Sequence, residues 1–102
     1  MNSNEATRRG DDAETDLARG ERMALRRWDR EAPADWKPDT ERPYETAGYV
    51  IEGRAELRIG ADTRTLQPGD AYIVPAGAAH SYKILEAFTA IEAISPPQDG
   101  RT

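Results

Sequence analysis

Among 102 residues the chain holds a single histidine, His80, and no cysteine. His80 is therefore the one side chain whose ordinary charge change falls near neutral pH. Thiolate chemistry, disulfides and zinc–thiolate sites are excluded, and the redox compartment is left unread. His80 stands in "GDAYIVPAGAAHSY", Gly69–Tyr82, directly after a turn built from Pro75 and Gly77. Three roles fit a lone histidine: metal ligand, general acid–base, or packed side chain held by a neighbour. Along "HSYKI", strand alternation puts His80, Tyr82 and Ile84 on one face and Ser81 and Lys83 on the other. An imidazole beside a phenol in an apolar pocket orients a small polar ligand or exchanges a proton with it. Glu92 is a second candidate, sharing parity with Phe88, Ala90 and Ile94. Were that face inward, Glu92 would be a buried carboxylate and a candidate site residue. Because unpaired glutamates are rarely buried, the expectation for it is an exposed edge. Tyr44, Tyr49 and Tyr72 are expected in the core or at a dimer interface.

The elements that must hold these residues are short strands. "ERMALRRW" reads as a strand with Met23 and Leu25 on one face and Ala24, Arg26 and Trp28 on the other. "DREAPADWKPDTERP" carries three prolines and reads as loop, with Trp36 expected to plug one end of the core. "YETAGYVIEG" is aromatic and β-branched at its centre. "RAELRI" alternates, with Ala55, Leu57 and Ile59 facing inward and the charges of Arg54, Glu56 and Arg58 on a solvated face. "GADT" is a hairpin turn signal. In "PGD", Pro68 and Gly69 suit the central positions of a type II turn. "AYIV", "HSYKI" and "EAFTAIEAI" read as three further strands, and "SPP" stops the last one. Many short strands and no convincing long helix predict an all-β sandwich or barrel.

Composition sets the limits. A chain this short predicts one domain with little core to spare. Charged residues make up 32% and the formal net charge is -5. No basic stripe is visible, which argues against nucleic acid, and the acidic balance argues against anionic membranes. No apolar run is long enough for a signal peptide or a membrane span, so the expectation is a cytoplasmic protein. Residues 1–20 contain one large apolar side chain beyond Met1, Leu17. That is too little burial to offset ordering entropy. The predicted organisation is a disordered or weakly ordered tail over 1–20, a β-domain over 21–97 and a C-terminal tail over 98–102.

The spacing of Gly69, Pro75, Gly77 and His80 resembles the second motif of the cupin superfamily, with Ile84 where that motif usually has asparagine. "YVIEGRAEL" resembles the end of the first motif, and "TLQPGD" and "AISPP" resemble small single-domain cupins. This resemblance implies a cupin jelly-roll β-barrel over about residues 21–97, commonly a homodimer, with a pocket inside the barrel that His80 and Tyr82 would face.

Metal-binding cupins are similar to one another in a His-x-His pair and a glutamate that join the second-motif histidine. Here the resemblance places Asp39 and Glu41 at the His-x-His spacing, Glu45 as the glutamate and His80 as the fourth ligand. Such an oxygen-rich shell implies a hard divalent cation such as Mn²⁺, Fe²⁺, Mg²⁺ or Ca²⁺, weakly held. The family has six residues between its glutamate and the following glycine, whereas seven lie between Glu45 and Gly53. Thr46 occupies the six-residue position, and a one-residue slip turns a strand side chain to the other face. A bulge that restored the register would bring Glu45 back inside; without one, Glu45 points out and Thr46 in. Three functions follow as expectations. The first is a cupin binding a small polar molecule without a tight metal. The second is a metal-dependent dioxygenase or isomerase working through Asp39, Glu41, Glu45 and His80. The third is a structural or interaction protein with a filled pocket.

Overall fold

The structure, a computed structural model, describes residues 14–98, and among these there is no helix. Six strands follow in order: β1 (Glu14–Arg19), β2 (Ala24–Glu31), β3 (Glu45–Ile59), β4 (Asp62–Leu66), β5 (Ala71–Val74) and β6 (His80–Ser95). All pair antiparallel, in the order β1-β2-β6-β3-β4, with β5 also on β3. No helix among the described residues is long and apolar enough to cross a membrane.

Two long strands organise the molecule. "YETAGYVIEG" and "RAELRI" are one strand, β3, and "HSYKI" and "EAFTAIEAI" are one strand, β6. They pair along their whole lengths, from Glu45↔Ser95 to Ile59↔His80. The register breaks between Val50 and Ala55, and there the strand pair bends. Gly53 makes the bend possible. Its φ is +83°, and a Cβ there would lie 2.0 Å from the Ala87 carbonyl oxygen, so both backbone freedom and close approach require glycine. On one side of the bend, β3 and β6 carry β5 and β2; on the other they carry β4. Residues 34–40 lie beside the first half of β6, through the bridges Ala34↔Ile84 and Thr40↔His80. One bent pair of long strands thus runs through both sheets of a jelly roll.

The core lies between the sheets. Val50, Ala55, Leu66, Phe88 and Ala90 are fully buried, and complete burial of a side chain such as Phe88 contributes about 1.5–3 kcal/mol. Trp28 anchors the aromatic part, 5.2 Å from the Tyr82 ring and edge-on to Phe88 at 6.3 Å. The expected alternation holds along β2 and the residue before it: Ala24 and Trp28 face in while Met23 and Leu25 are exposed.

Two expectations are corrected. Trp36 does not plug the core: it is half-buried, with the Arg58 guanidinium 4.3 Å above its ring. The core tryptophan is Trp28, whose strand parity Ala24 shares. Residues 14–19, assigned to the tail, form edge strand β1, paired from Glu14↔Trp28 to Arg19↔Ala24 with a bulge between Asp16 and Ala18. An edge strand draws its hydrogen bonds from its neighbour's main chain, so a polar sequence suffices. Residues 1–13 and 99–102, the rest of the two expected tails, lie outside the described residues.

Candidate functional site

His80 opens β6, immediately after the Pro75–Ala79 turn. Gly77 takes the expected positive φ, +80°, and its N–H donates to the Arg42 carbonyl at 2.7 Å. The main chain of His80 exchanges two 2.9 Å hydrogen bonds with Thr40. Beside it, the Lys37 N–H donates to the Tyr82 carbonyl at 3.2 Å, and the Ser81 hydroxyl donates to the Lys37 carbonyl. Residues 37–42 and the turn 75–79 thereby fix this end of the barrel. The half-buried His80 ring sits edge-on to Tyr82, with centroids 5.8 Å apart. This is the shared face that alternation predicts.

His80 Nδ1 lies 3.0 Å from the Ala78 carbonyl oxygen. A carbonyl can only accept, so Nδ1 carries the proton and, in the neutral ring, Nε2 carries the lone pair. Nε2 has no hydrogen-bond partner among the described residues. Tyr82 itself is buried among Trp28, Tyr72 and Ile84.

The carboxylates expected around His80 are not gathered there. Asp39 is engaged by Arg58, Oδ1 to NH2 at 3.2 Å, and Glu41 is exposed. Glu45 is exposed and Thr46 is buried. The ladder from Glu45 to Val50 is unbroken, and the register shifts begin only beyond it. No bulge between them brings Glu45 inward, and Thr46 holds the interior position between Ile94 and Val74. Among the described residues no three His, Asp or Glu side chains converge as a metal site. Asp39, Glu41, Glu45 and His80 are therefore not one shell, and the donors present do not fit a cupin metal centre.

The barrel's polar centre lies elsewhere, on Glu92, which is 1% exposed rather than at a solvated edge. Its Oε1 accepts from Arg26 (Nε 3.0 Å, NH2 2.9 Å) and from Trp28 Nε1 at 3.2 Å. Its Oε2 accepts from the Tyr72 hydroxyl at 2.6 Å. Arg26 also donates to the Tyr44 hydroxyl at 3.3 Å, its guanidinium 5.4 Å from that ring's centroid. Strand register builds the group: Arg26, Glu92, Gly48 and Tyr72 stand side by side on β2, β6, β3 and β5. Gly48 leaves the space that the Tyr72 ring fills, since a Cβ there would meet the ring at 2.1 Å. Burial first, and then the Glu92 carboxylate, hold the Tyr72 hydroxyl protonated far above its usual range. No buried side-chain nitrogen or oxygen among the described residues lacks a partner. The cluster is a closed ion pair.

Sequence reasoning placed Tyr44 and Tyr72 in the core or at a dimer interface; both are buried, but it missed that they join the Glu92 cluster. The signal was present: Arg26 shares parity with Ala24 and Trp28, and Glu92 is the one charge within "AFTAIEAI".

Two antiparallel sheets, a shared bent pair of long strands and a histidine at the strand start after a proline–glycine turn define a jelly-roll barrel of the cupin class. A cupin domain family model matches residues 31–91, and the chain belongs to that family. An uncharacterized Streptomyces coelicolor protein is 32% identical over 63 residues, 59% of this chain and 60% of that protein. The chain thus spans about three fifths of that relative's length. Among solved structures, an RmlC-like cupin from Shewanella frigidimarina superposes with a TM-score of 0.76 at 17% identity, covering 87% of this chain and 79% of the other. KdgF from Halomonas sp. superposes with a TM-score of 0.73 at 22% identity, covering 100% and 96%. At these identities the likeness concerns the fold.

Proposed function

We propose that this cupin binds a small polar molecule at the His80 end of its barrel, without a tightly held metal. The observation that carries the reading is the His80 ring. Ala78 fixes its tautomer, and Nε2 keeps a lone pair with no partner among the described residues, on a half-buried side chain against an aromatic wall. That arrangement accepts a hydrogen bond from a ligand O–H or N–H while Tyr82 packs on the ligand's apolar side. The ligand would lie at the mouth, because the inner face beyond Tyr82 is filled by the core.

The metal-dependent enzyme reading is not favoured, since its three carboxylates are dispersed. The packed interior supports a second reading, in which the barrel serves as a scaffold for interaction. The experiment is a thermal-shift screen of sugars, hydroxy acids and amines, followed by calorimetric titration of the hits. Binding that His80→Ala abolishes, with the fold intact, supports the mouth site. Binding unchanged in His80→Ala, or no binder at all, would overturn it.

A further inference from the structure

Donors from two strands converge on the Glu92 carboxylate. Arg26 and Trp28 of β2 take one oxygen, and the Tyr72 hydroxyl of β5 takes the other. Each donor is also held by contacts in which Glu92 has no part. The Arg26 guanidinium donates to the Tyr44 hydroxyl and lies over that ring. The Trp28 ring packs on Tyr82 and Phe88, and the Lys37 ammonium lies 5.6 Å from its centroid. The Tyr72 ring stands edge-on to Tyr82 at 6.5 Å and fills the gap above Gly48. The ladders β2–β6, β6–β3 and β3–β5 fix the main chains beneath them. Donors held in place beforehand need little ordering when an acceptor arrives.

We infer that Arg26, Trp28 and Tyr72 form a carboxylate-binding site in their own right, and that Glu92 is its tethered occupant. The ligand class is a small monocarboxylate. Two acceptor oxygens on one ionised group match the donors, Arg26 with Trp28 on one side and Tyr72 on the other. A carboxamide offers an acceptor at only one of those places. Solvent reaches the group along Arg26, whose side chain is 14% exposed, while that of Glu92 is 1% exposed. The size of the ligand follows by subtraction. Truncating Glu92 to alanine removes the γ-carbon and the carboxylate, and acetate supplies those same atoms. Truncating it to glycine removes the β-carbon as well, and propionate then supplies the missing set. Branched acids exceed the space, because the packed interior around it leaves no slack.

Thermal melts of the full chain at neutral pH, in sodium acetate and in sodium chloride of matched ionic strength, test this. Glu92→Ala should melt higher in acetate. The rise should saturate over millimolar concentrations, as suits a ligand of so few atoms. The wild type, already occupied, should melt alike in both salts. Acetate should act more strongly than propionate on Glu92→Ala, and the order should reverse on Glu92→Gly. Adding Arg26→Met to Glu92→Ala should remove the rise, and Glu92→Gln, which keeps the space filled, should not show it. Equal melts of Glu92→Ala in the two salts overturn the inference. So does a rise that survives Arg26→Met, or the same order of acids in both truncations. Should Glu92→Ala be unfolded in buffer, return of the β-signal of circular dichroism in acetate is the readout, and its failure to return overturns the inference equally. Should Glu92→Gly be unfolded, its refolding in propionate rather than acetate is read in the same way.

Discussion

The Tyr72 hydroxyl lies 2.6 Å from Glu92 Oε2, and this bond ties β5 to β6 across the small gap left by Gly48 on β3. The other Glu92 oxygen holds Arg26 and Trp28 of β2. Removing the carboxylate takes away the shared acceptor of Arg26, Trp28 and Tyr72 and leaves the Trp28 and Tyr72 donors without it in the interior. Glu92→Ala should therefore cost about 3–5 kcal/mol, the usual penalty for breaking a buried pair from one side. Urea unfolding at neutral pH measures it; a loss under one kilocalorie per mole would mean the pair is not sealed.

Alkali should probe the same bond. The folded-state pKa of Tyr72 is raised, so its contribution to stability is complete below the unfolded value, about 10. It is lost as pH rises from there toward the folded value. In that window stability should fall by about 1.4 kcal/mol per pH unit for this proton. Tyr72→Phe should remove that component of the slope. Unfolding free energies of the two proteins from pH 9 upward give the comparison, and parallel curves would contradict it.

Gly48→Ala drives a methyl into the Tyr72 ring, which has no room to move. Overpacking of this kind costs about 1–3 kcal/mol. Tyr72→Ala empties the space, so the double variant should be markedly more stable than the sum of the two single losses predicts. Strict additivity in a denaturation cycle would separate the two residues.

Arg30 sits in the left-handed region, φ +55°, where the β2–β6 register shifts and its N–H donates to the buried Thr89 hydroxyl at 3.0 Å. An L-side chain costs roughly 1–2 kcal/mol in that conformation. Arg30→Gly should recover part of this, raising stability by up to about 1 kcal/mol after the entropy lost by glycine. A lower melting temperature would show that the arginine side chain has a role of its own.

Extensive dialysis against a chelator should leave the melting temperature unchanged, because the carboxylates nearest in sequence to the family's ligands do not meet His80. A fall reversed by Mn²⁺ or Fe²⁺ would restore the metal-dependent reading.

Much of this was legible in the chain. The alternation of "RAELRI" gave its inner face, and the count from Glu45 to Gly53 separated the outward Glu45 from the inward Thr46. What escaped notice depends on distant partners. Glu92 looks like a surface residue until Arg26, 66 positions away, is brought beside it. β1 has no apolar alternation because its neighbour's main chain holds it. Trp28 and Trp36 are chemically identical, and only the pairing of β2 with β6 selects the first for the core.

The bend at Gly53 also governs how the molecule can come apart. Since β3 and β6 run through both sheets, neither sheet is a separable unit with its own melting point. Fraying β6 removes the partner of β2 at one end and of residues 34–40 at the other, so local openings that reach past the turns should propagate into complete unfolding. Amide exchange in the two halves of β6 should then report one common opening free energy.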